Sequence, residues 1–362
     1  MQIIEDRRAL HRIPEIELHL PKTMAYLRCA LSGLGCKLFP PIEHALCAYF
    51  DFGKPQTLAF RADCDALPVQ EKNDVPYVST CDGCMHACGH DGHMAIALEL
   101  ARRISAKKDL PHNILIIFQP GEESPGGAKP ICDTGVLEEY KVKALFGLHI
   151  WPGLPKGKVF SRENELMSRS SEINVDIYGK SAHIGRASKG IDALAAGVEY
   201  YRRAVAMEQA MPKNIFRLLK FGHMESGTVR NALSAHTRLE GSLRAFQDEV
   251  FDQLRTGLDK IATDIAAETG CTVTVTGTEG YRAIMNPPEL FRKVMAVAPF
   301  AVLPEPSMTS EDFSFYQQRV DAMFFFLGAG DAPSLHSDTF NFDEQILVKG
   351  ADFFEKLAEE FL

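Results

Sequence analysis

The stretch HNILIIFQPGEE, residues 112–123, places a continuous apolar run directly before a proline, a glycine and two glutamates. A short apolar run without polar alternation is typical of a strand that is buried on both faces. Such strands occur in parallel sheets that helices cover on both sides, so this stretch indicates an α/β fold. Glu122 and Glu123 then fall in the loop at the carboxyl end of that strand.

The first 160 residues or so alternate between strand and helix patterns. We predict further strands at ALCAYFDF (45–52), TLAFRAD (57–63) and VKALFGLHI (142–150), and helices at MAYLRCALSGLG (24–35) and DGHMAIALELARRISA (91–106). Strands that alternate with helices predict a mostly parallel sheet covered by helices.

The pattern changes near residue 170. We predict strands at 171–179, 215–224, 235–246 and 271–278, and long helices at 191–209 and 250–270. Two helices over an antiparallel sheet form a small α+β unit. The strand and helix alternation returns after residue 281. We therefore predict a catalytic metal-binding domain at 1–168 and 281–362, interrupted by an inserted α+β lid domain at 169–280.

The composition argues against several classes of function. The 362 residues are 46% hydrophobic and 24% charged, which is ordinary for a globular protein of two domains. A formal net charge of -9 without a dense basic run argues against a nucleic-acid partner. No apolar stretch is long enough to span a membrane, and the N-terminus MQIIEDRRALHR is too charged for a signal peptide. We therefore expect a cytoplasmic protein with no membrane partner.

Nine cysteines are scattered along the chain. A disulfide framework would require a small secreted domain, so we expect mostly reduced thiols. Cys81 and Cys84 form a Cys-x-x-Cys pair, but no second pair follows, so a separate structural zinc site is not favoured.

Polar side chains follow four of the apolar strands. Asp63 and Asp65 follow TLAFRAD, the two glutamates follow ILIIFQP, His149 lies in ALFGLHI, and His336 follows MFFFLGAG. In open α/β sheets, functional sites form beyond the carboxyl ends of the strands. Cys88 and His90 lie in MHACGHDGH (85–93), just before a predicted helix, and we expect them to join the same site.

Five of these residues have the chemistry of metal ligands: Cys88, His90, Glu123, His149 and His336. Thiolate, imidazole and carboxylate together suit Zn, Mn, Ni or Co. Five protein ligands exceed the need of one open zinc site, so we predict two divalent metal ions about 3.5–4 Å apart. Asp63 and Asp65 are candidates for orienting the imidazoles. Glu122 is a candidate for the general base that activates water.

Each residue also has a plainer explanation. A single histidine most often lies at the surface or in the core, and His86 and His93 fit that description. Cys88 alone is typical of a small buried apolar residue, and a pair of glutamates is typical of a solvated loop. The joint placement at strand ends, rather than any single residue, favours the metal site.

Six motifs occur in order along the chain: RADCDALP (61–68), MHACGHDGH (85–93), QPGEE (119–123), GLHIWP (147–152), GKSAH (179–183) and LHSD (335–338). Together they resemble the amidohydrolase branch of the aminoacylase/carboxypeptidase metallopeptidase family. That branch includes hippurate hydrolases, indole-acetyl-amino-acid hydrolases and N-acetyldiaminopimelate deacetylases. The resemblance spans nearly the whole chain and implies a dinuclear metal hydrolase that cleaves the amide bond of N-acyl amino acids.

The resemblance also implies roles for individual residues. The five candidate ligands match the family's metal ligands, and Glu122 matches the general base that later protonates the leaving amine. His183 in GKSAH matches a lid histidine that polarises the scissile carbonyl. Asn231 and Arg244, thirteen residues apart, match an asparagine and an arginine that bind substrate. Lid domains of this family often pair, which implies a possible homodimer.

Some residues depart from the family pattern. Arg61-x-Asp63 stands where relatives outside the branch have His-x-Asp, so that metal ligand is absent. Arg186 and Lys189 follow His183, where relatives have a second histidine and a proline, which leaves the substrate preference open. The stretch SPGGA (124–128) is similar to the N-acetyldiaminopimelate deacetylases.

Three other functions stay open at this stage. One is a dipeptidase or carboxypeptidase that uses the same metals. Another is a catalytically silent binding protein, and the third is an enzyme that uses Cys88 as a nucleophile.

Overall fold

The computed structural model describes every residue from Met1 to Leu362. The α-helices are α1 Gln2–His11, α2 Pro21–Leu31, α3 His90–Ser105, α4 Ala128–Asp133, α5 Val136–Glu139, α6 Ala193–Ala210, α7 Asp248–Thr269, α8 Pro288–Val297, α9 Ser314–Gln317 and α10 Ile346–Glu360, and one 3-10 helix covers Ile184–Lys189. The strands are β1 Lys37–Phe39, β2 Leu46–Phe50, β3 Thr57–Asp63, β4 Asn113–Gln119, β5 Val142–Trp151, β6 Val159–Ser161, β7 Asn164–Met167, β8 Arg169–Tyr178, β9 Arg217–Ser226, β10 His236–Ala245, β11 Thr272–Gly277, β12 Ile284–Asn286, β13 Ala301–Val302 and β14 Asp321–Gly328. No helix combines the length and the apolar character that a membrane crossing requires.

The chain divides into two compact units. Unit 1 comprises Met1–Leu166, Met285–Glu305 and Glu311–Leu362, and unit 2 comprises Met167–Ile284 and Pro306–Ser310. The sequence predicts divisions after residue 168 and before residue 281. The structure has them after Leu166 and before Met285, and it adds Pro306–Ser310 to unit 2.

Unit 1 is built on an eight-stranded sheet with the order β1-β2-β4-β3-β5-β14-β6-β13. The central strands β4, β3, β5 and β14 are parallel to their neighbours in that group, whereas β1 and β2 are antiparallel additions at one edge. Every residue of β3 and β4 is buried, so both faces of the sheet are covered there. The predicted mostly parallel sheet under helices is confirmed.

The four parallel strands bring the candidate residues to one edge of the sheet. Asp63 is the last residue of β3, Gln119 is the last of β4, and His149 lies near the end of β5. The loop after β14 leads to His336. Because the carboxyl ends of neighbouring parallel strands lie side by side, these loops are adjacent without any long connection.

Unit 2 is an antiparallel sheet with the order β11-β8-β10-β9, together with the long helices α6 and α7. Alternate residues of β8, such as Ile173, Val175 and Ile177, are fully buried against helix residues such as Tyr200 and Leu258. This alternation is what a sheet with one covered face requires. The predicted α+β unit of an antiparallel sheet and two helices is confirmed.

Candidate metal centre

The five candidate ligands meet in unit 1 although they are spread over nearly 250 positions of sequence. Cys88 Sγ lies 3.3 Å from His149 Nε2 and 3.4 Å from His336 Nε2. Glu123 Oε1 lies 3.1 Å from His336 Nε2 and 4.0 Å from His90 Nε2. Cys88, His90 and His149 are 6%, 1% and 4% exposed, whereas the His336 side chain is 54% exposed. The centre is therefore buried on three sides and open beside His336.

Two of the rings are held with one nitrogen directed into the centre. His90 donates through Nδ1 to the Asp65 carbonyl oxygen at 2.8 Å, and His149 donates through Nδ1 to the Ile150 carbonyl oxygen at 2.7 Å. A neutral imidazole that donates through Nδ1 carries its lone pair on Nε2. His90 Nε2 is buried and has no hydrogen-bond partner. His149 Nε2 faces the Cys88 sulfur instead. An unpartnered ring nitrogen next to a thiol and a second imidazole fits a cation site, in which a second contact orients each histidine.

The grouping of donor atoms supports more than one cation position. The donor atoms of Cys88, His90 and His149 lie within 4.8 Å of one another, and so do those of Cys88, Glu123 and His336. The two groups share the Cys88 sulfur. The donor set therefore divides into two overlapping groups, each large enough to begin a coordination sphere.

Two further histidines of MHACGHDGH lie outside this set. His93 Nδ1 contacts Asp63 Oδ1 at 2.6 Å, while its Nε2 accepts the Ile150 backbone N–H at 2.9 Å. Both ring nitrogens are thus occupied, and His93 has no lone pair left for a metal. His86 is buried and neither ring nitrogen is bonded, and burial lowers its pKa to about 3. His93 supports the centre indirectly, because it accepts the N–H of Ile150, the residue next to His149.

Asp63 and Asp65 support the site in different ways. The Asp63 carboxylate bonds His93 and not His90, whose Nε2 lies 3.7 Å from Asp63 Oδ2. Asp65 orients His90 through its backbone carbonyl. The Asp65 carboxylate instead accepts the backbone N–H groups of Glu122 and Glu123, at 2.9 and 3.0 Å. Asp65 therefore links one ligand to the loop that carries the two glutamates.

Glu122 lies beside the ligands in an unusual electrostatic environment. Its carboxylate oxygen lies within 4.8 Å of donor atoms of His90 and Glu123, and within the same distance of Glu311 and Asp312 carboxylate oxygens. The side chain is buried, and burial together with the nearby carboxylates raises the pKa of Glu122 well above its usual value. A carboxyl group with a raised pKa binds a proton more strongly, which suits a residue that accepts one during a reaction.

Arg61 organises a buried charge cluster that the sequence analysis missed. Its guanidinium donates to Asp63 at 2.7 Å, to Glu311 at 2.9 Å and to Asp312 at 2.8 Å. All four side chains are at most 2% exposed. Burial and the neighbouring carboxylates raise the pKa of Glu311 to about 8 despite Arg61. The available signal was the arginine itself, because an arginine inside an apolar strand needs buried carboxylate partners.

The three residues that the resemblance assigns to substrate binding lie in unit 2. His183 is exposed, pairs with Ala232 in an isolated bridge, and accepts the Gly185 N–H at Nδ1, which leaves Nε2 as the donor. The backbone carbonyl of Asn231 accepts the Ile184 N–H at 3.0 Å, so Asn231 lies next to His183.

Arg244 lies apart from that pair. It is near the opposite end of β10, and its guanidinium donates to the Met308 carbonyl and to the Ser242 hydroxyl. β10 begins at His236, on the side of Asn231 and His183, and Arg244 lies eight residues further along the strand, a length of roughly 26 Å. Within unit 2 the structure brings His183 and Asn231 together but not Arg244.

Residues 59–360 match the protein family described as peptidase family M20/M25/M40. The chain belongs to this family. The resemblance to the aminoacylase/carboxypeptidase metallopeptidases is therefore confirmed, and the protein is a hydrolase of that group. An uncharacterized hydrolase of Staphylococcus haemolyticus is 34% identical over 374 residues, which cover 99% of this chain and 98% of that protein.

Two solved structures are similar to this chain in fold and sequence. A protein of methicillin-resistant Staphylococcus aureus, described as an aminohydrolase, has a TM-score of 0.91 at 28% identity, over 99% of this chain and 96% of its own. The Bacillus subtilis YXEP protein, described as a dinuclear metal binding peptidase of the M20 family, has a TM-score of 0.85 at 27% identity, over 99% and 96%. The architecture of this chain is therefore that of an M20 hydrolase.

Proposed function

We propose that this M20 hydrolase cleaves the amide bond of N-acyl amino acids and releases a carboxylic acid and a free amino acid. One observation carries the proposal. The donor atoms of Cys88, His149, Glu123 and His336 converge around a buried centre, with the unpartnered Nε2 of His90 beside them. The buried Glu122 carboxyl group lies next to that centre.

Two divalent metal ions are the proposed cofactors, and Zn, Mn, Ni or Co would suit the donors. The residues that would hold them are Cys88, His90, Glu123, His149 and His336. When bound, such ions supply Lewis acidity that polarises a carbonyl and lowers the pKa of a water ligand. The thiolate and imidazole donors favour these borderline metals over Mg²⁺ or Ca²⁺, which prefer oxygen ligands.

Glu122 would serve as the general base and then as the general acid. It would take a proton from the attacking water and return that proton to the leaving amine nitrogen. His183, whose Nε2–H is a free donor at the surface of unit 2, would donate to the scissile carbonyl oxygen as negative charge develops there. Asn231 and Arg244 would bind the substrate, and the planar guanidinium of Arg244 suits a carboxylate. Because β10 separates Arg244 from His183, one small substrate would meet both only if they came from different copies of unit 2, which the homodimer proposed below would supply.

The test is hydrolysis of a substrate panel after reconstitution with Zn²⁺, Mn²⁺, Ni²⁺ or Co²⁺. The panel contains N-acetyl, N-benzoyl and aminoacyl amino acids, including N-acetyldiaminopimelate. Preference for acetyl or benzoyl compounds supports the proposal. Preference for the aminoacyl compounds would instead identify a dipeptidase or carboxypeptidase, the alternative that the peptidase description of YXEP favours.

Two other outcomes of the same panel would contradict both activities. A metal-loaded protein that cleaves no amide would be a binding protein. Activity that survives a chelator, with an acyl group on Cys88 detected by mass spectrometry, would indicate a cysteine nucleophile.

We also propose a cytoplasmic location, a small-molecule substrate, no nucleic-acid or membrane partner, and a homodimer formed through unit 2. All nine cysteines are free thiols, which suits a reducing compartment. β9 is an edge strand of the unit 2 sheet, and α6 exposes Leu194, Val198 and Tyr201. Exposed apolar side chains beside an unpaired strand edge suit pairing with a second copy. Light scattering on the purified protein tests the homodimer.

A further inference from the structure

The loop that carries the two glutamates is closed on itself. It runs from Gln119, the last residue of β4, to Ala128, the first residue of α4. The Gly126 N–H donates to the Gly121 carbonyl oxygen at 2.9 Å. A Cβ atom on Gly127 would lie 1.8 Å from the Pro120 carbonyl oxygen, so the two ends of the loop touch and only glycine fits there. The position of Glu122 and Glu123 therefore depends on how these ends are held.

Asp312 contacts both ends of this loop. One carboxylate oxygen accepts the N–H groups of Gly127 and Ala128, at 2.9 and 2.8 Å, and also the Gln119 side-chain amide at 2.8 Å. The other oxygen accepts from Arg61 at 2.8 Å. Asp312 is completely buried. A single carboxylate thus joins Gln119, at the start of the loop, to Gly127 and Ala128, at its end.

The neighbouring Glu311 makes a useful contrast. Its carboxylate accepts from Arg61 at 2.9 Å and from the Phe313 N–H at 3.1 Å, within its own segment of chain. It shares the buried charge cluster with Asp312 and is also buried, but neither of these bonds reaches the backbone of the glutamate loop. Both carboxylates lie within 4.8 Å of the Glu122 carboxylate, but only Asp312 bonds the backbone at the end of the loop.

We propose that Asp312 is a positioning residue, which acts on the reaction by fixing the loop that presents Glu122 and Glu123. Only a carboxylate offers enough acceptor sites for the three loop donors and the arginine at once. Hydrogen bonds to a charged group are also the strong ones, which suits a part that must stay in place. The catalytic consequence rests on the function proposed above, whereas the effect on the loop does not.

Hydrogen exchange measures the loop directly. In the wild type we expect slow exchange of the Gly127 and Ala128 amides, because both are bonded to a buried carboxylate. In Asp312→Asn one acceptor oxygen is replaced by an NH₂ group, and exchange across residues 119–128 should accelerate about tenfold or more. Asp6→Asn is the matched control, because Asp6 is another completely buried carboxylate that bonds an arginine, Arg102, but no residue of the loop. Its loop should exchange as in the wild type. Equal exchange in the wild type and Asp312→Asn would overturn the proposal.

Kinetics separate positioning from a merely structural role. At saturating metal, Asp312→Asn should lower kcat about 10–100-fold with KM changed far less, because displacement of a base by about 1 Å has effects of this size. Its metal affinity, read from metal bound per chain, should fall as well, because Glu123 moves with the loop. A variant that keeps its kcat and its metal affinity would contradict the proposal.

Two features keep this test decisive. If Asp312→Asn does not fold, the wild-type exchange still decides, since full exchange of residues 119–128 within seconds at neutral pH would exclude a clamped loop. If the wild type hydrolyses no substrate, the proposed function fails while the exchange result still tests Asp312. If the wild type hydrolyses its substrate but the loop of Asp312→Asn exchanges as in the wild type, the proposed function stands and the positioning role of Asp312 fails.

Discussion

The two units present their candidate functional residues in opposite ways. In unit 1, Cys88, His90 and His149 are buried, and the two rings are oriented by backbone carbonyls. In unit 2, His183 is exposed, and Arg244 lies at the far end of β10 from it. One unit holds a complete constellation, whereas the other holds separate groups on a surface.

The proposed function accounts for this difference by what each unit would bind. A cation site gathers thiolate, imidazole and carboxylate groups whose mutual repulsion and desolvation must be offset by the fold before the cation arrives. In unit 1 this is done by buried partners such as Arg61, Asp63 and Asp65. Under the same proposal, His183 would meet a substrate and could remain in water until the substrate comes, so it would need little support from unit 2.

The largest effect should come from Glu122 in unit 1. Glu122→Ala should keep its metal and lose about 10²–10⁴-fold in kcat, the range that general base catalysis supplies. Turnover of the best panel substrate and metal content per chain are the measurements. Glu43→Ala, at a side chain that is 90% exposed in the same unit, serves as the control. Full activity in Glu122→Ala would remove the proposed base from the mechanism.

The next largest effect should come from His183 in unit 2. His183→Ala should lose about 10²–10³-fold in kcat, as enzymes do when one donor to the developing oxyanion is removed. Metal binding should be unchanged, because His183 is not one of the candidate ligands. His223→Ala changes another exposed histidine of unit 2 and should leave kcat intact. A loss of metal in His183→Ala would break the contrast between the units.

The sequence predicts unit 1 better than unit 2 for the same physical reason. The apolar runs of β3, β4, β5 and β14 indicate buried parallel strands, and parallel strands must place their carboxyl ends together. The convergence of ligands was therefore accessible from spacing. In unit 2 the roles of His183, Asn231 and Arg244 came only from the family resemblance, because exposed groups leave no periodic signal.

Contacts between distant segments could not be predicted in either unit. That Asp312 bonds the amides of Gly127 and Ala128 depends on two loops meeting in space. No local pattern encodes such a meeting. The tautomers of His90 and His93 depend in the same way on the backbone carbonyl and amide that each ring happens to face.

A smaller effect should follow when the support of unit 1 is weakened without removing a ligand. Direct partners of metal ligands change metal affinity about 10–100-fold. Asp63 acts one step further away, because it bonds His93, which holds the backbone next to His149, so Asp63→Asn should reduce metal affinity by about tenfold, the lower end of that range. The chain has one tryptophan, and the Trp151 ring lies 5.5 Å from the His149 ring, so its fluorescence should respond to Ni²⁺ or Co²⁺. Asp264→Asn, on the exposed side of α7 in unit 2, should titrate as the wild type does. Identical titrations for Asp63→Asn and the wild type would show that the buried partners are dispensable.

The smallest effect should come from Arg244, the second separate group of unit 2. Arg244→Ala should raise KM about tenfold and leave kcat nearly unchanged, because a contact made equally in ground state and transition state affects only binding. The guanidinium is only partly buried and already bonds the Met308 carbonyl, so part of its capacity is used before substrate arrives.

The substrate itself supplies the control for Arg244. An N-acyl amino acid amide lacks the carboxylate, so the wild type and Arg244→Ala should cleave it with the same KM. Arg244→Lys keeps the charge but loses the planar two-pronged donor set, and should fall between the two on the acid substrate. If instead kcat fell and the amide substrate suffered equally, Arg244 would act on the reacting groups or on the fold. Arg244 would then not be a separate binding group of unit 2, and unit 2 would differ less from the preorganised unit 1 at this residue.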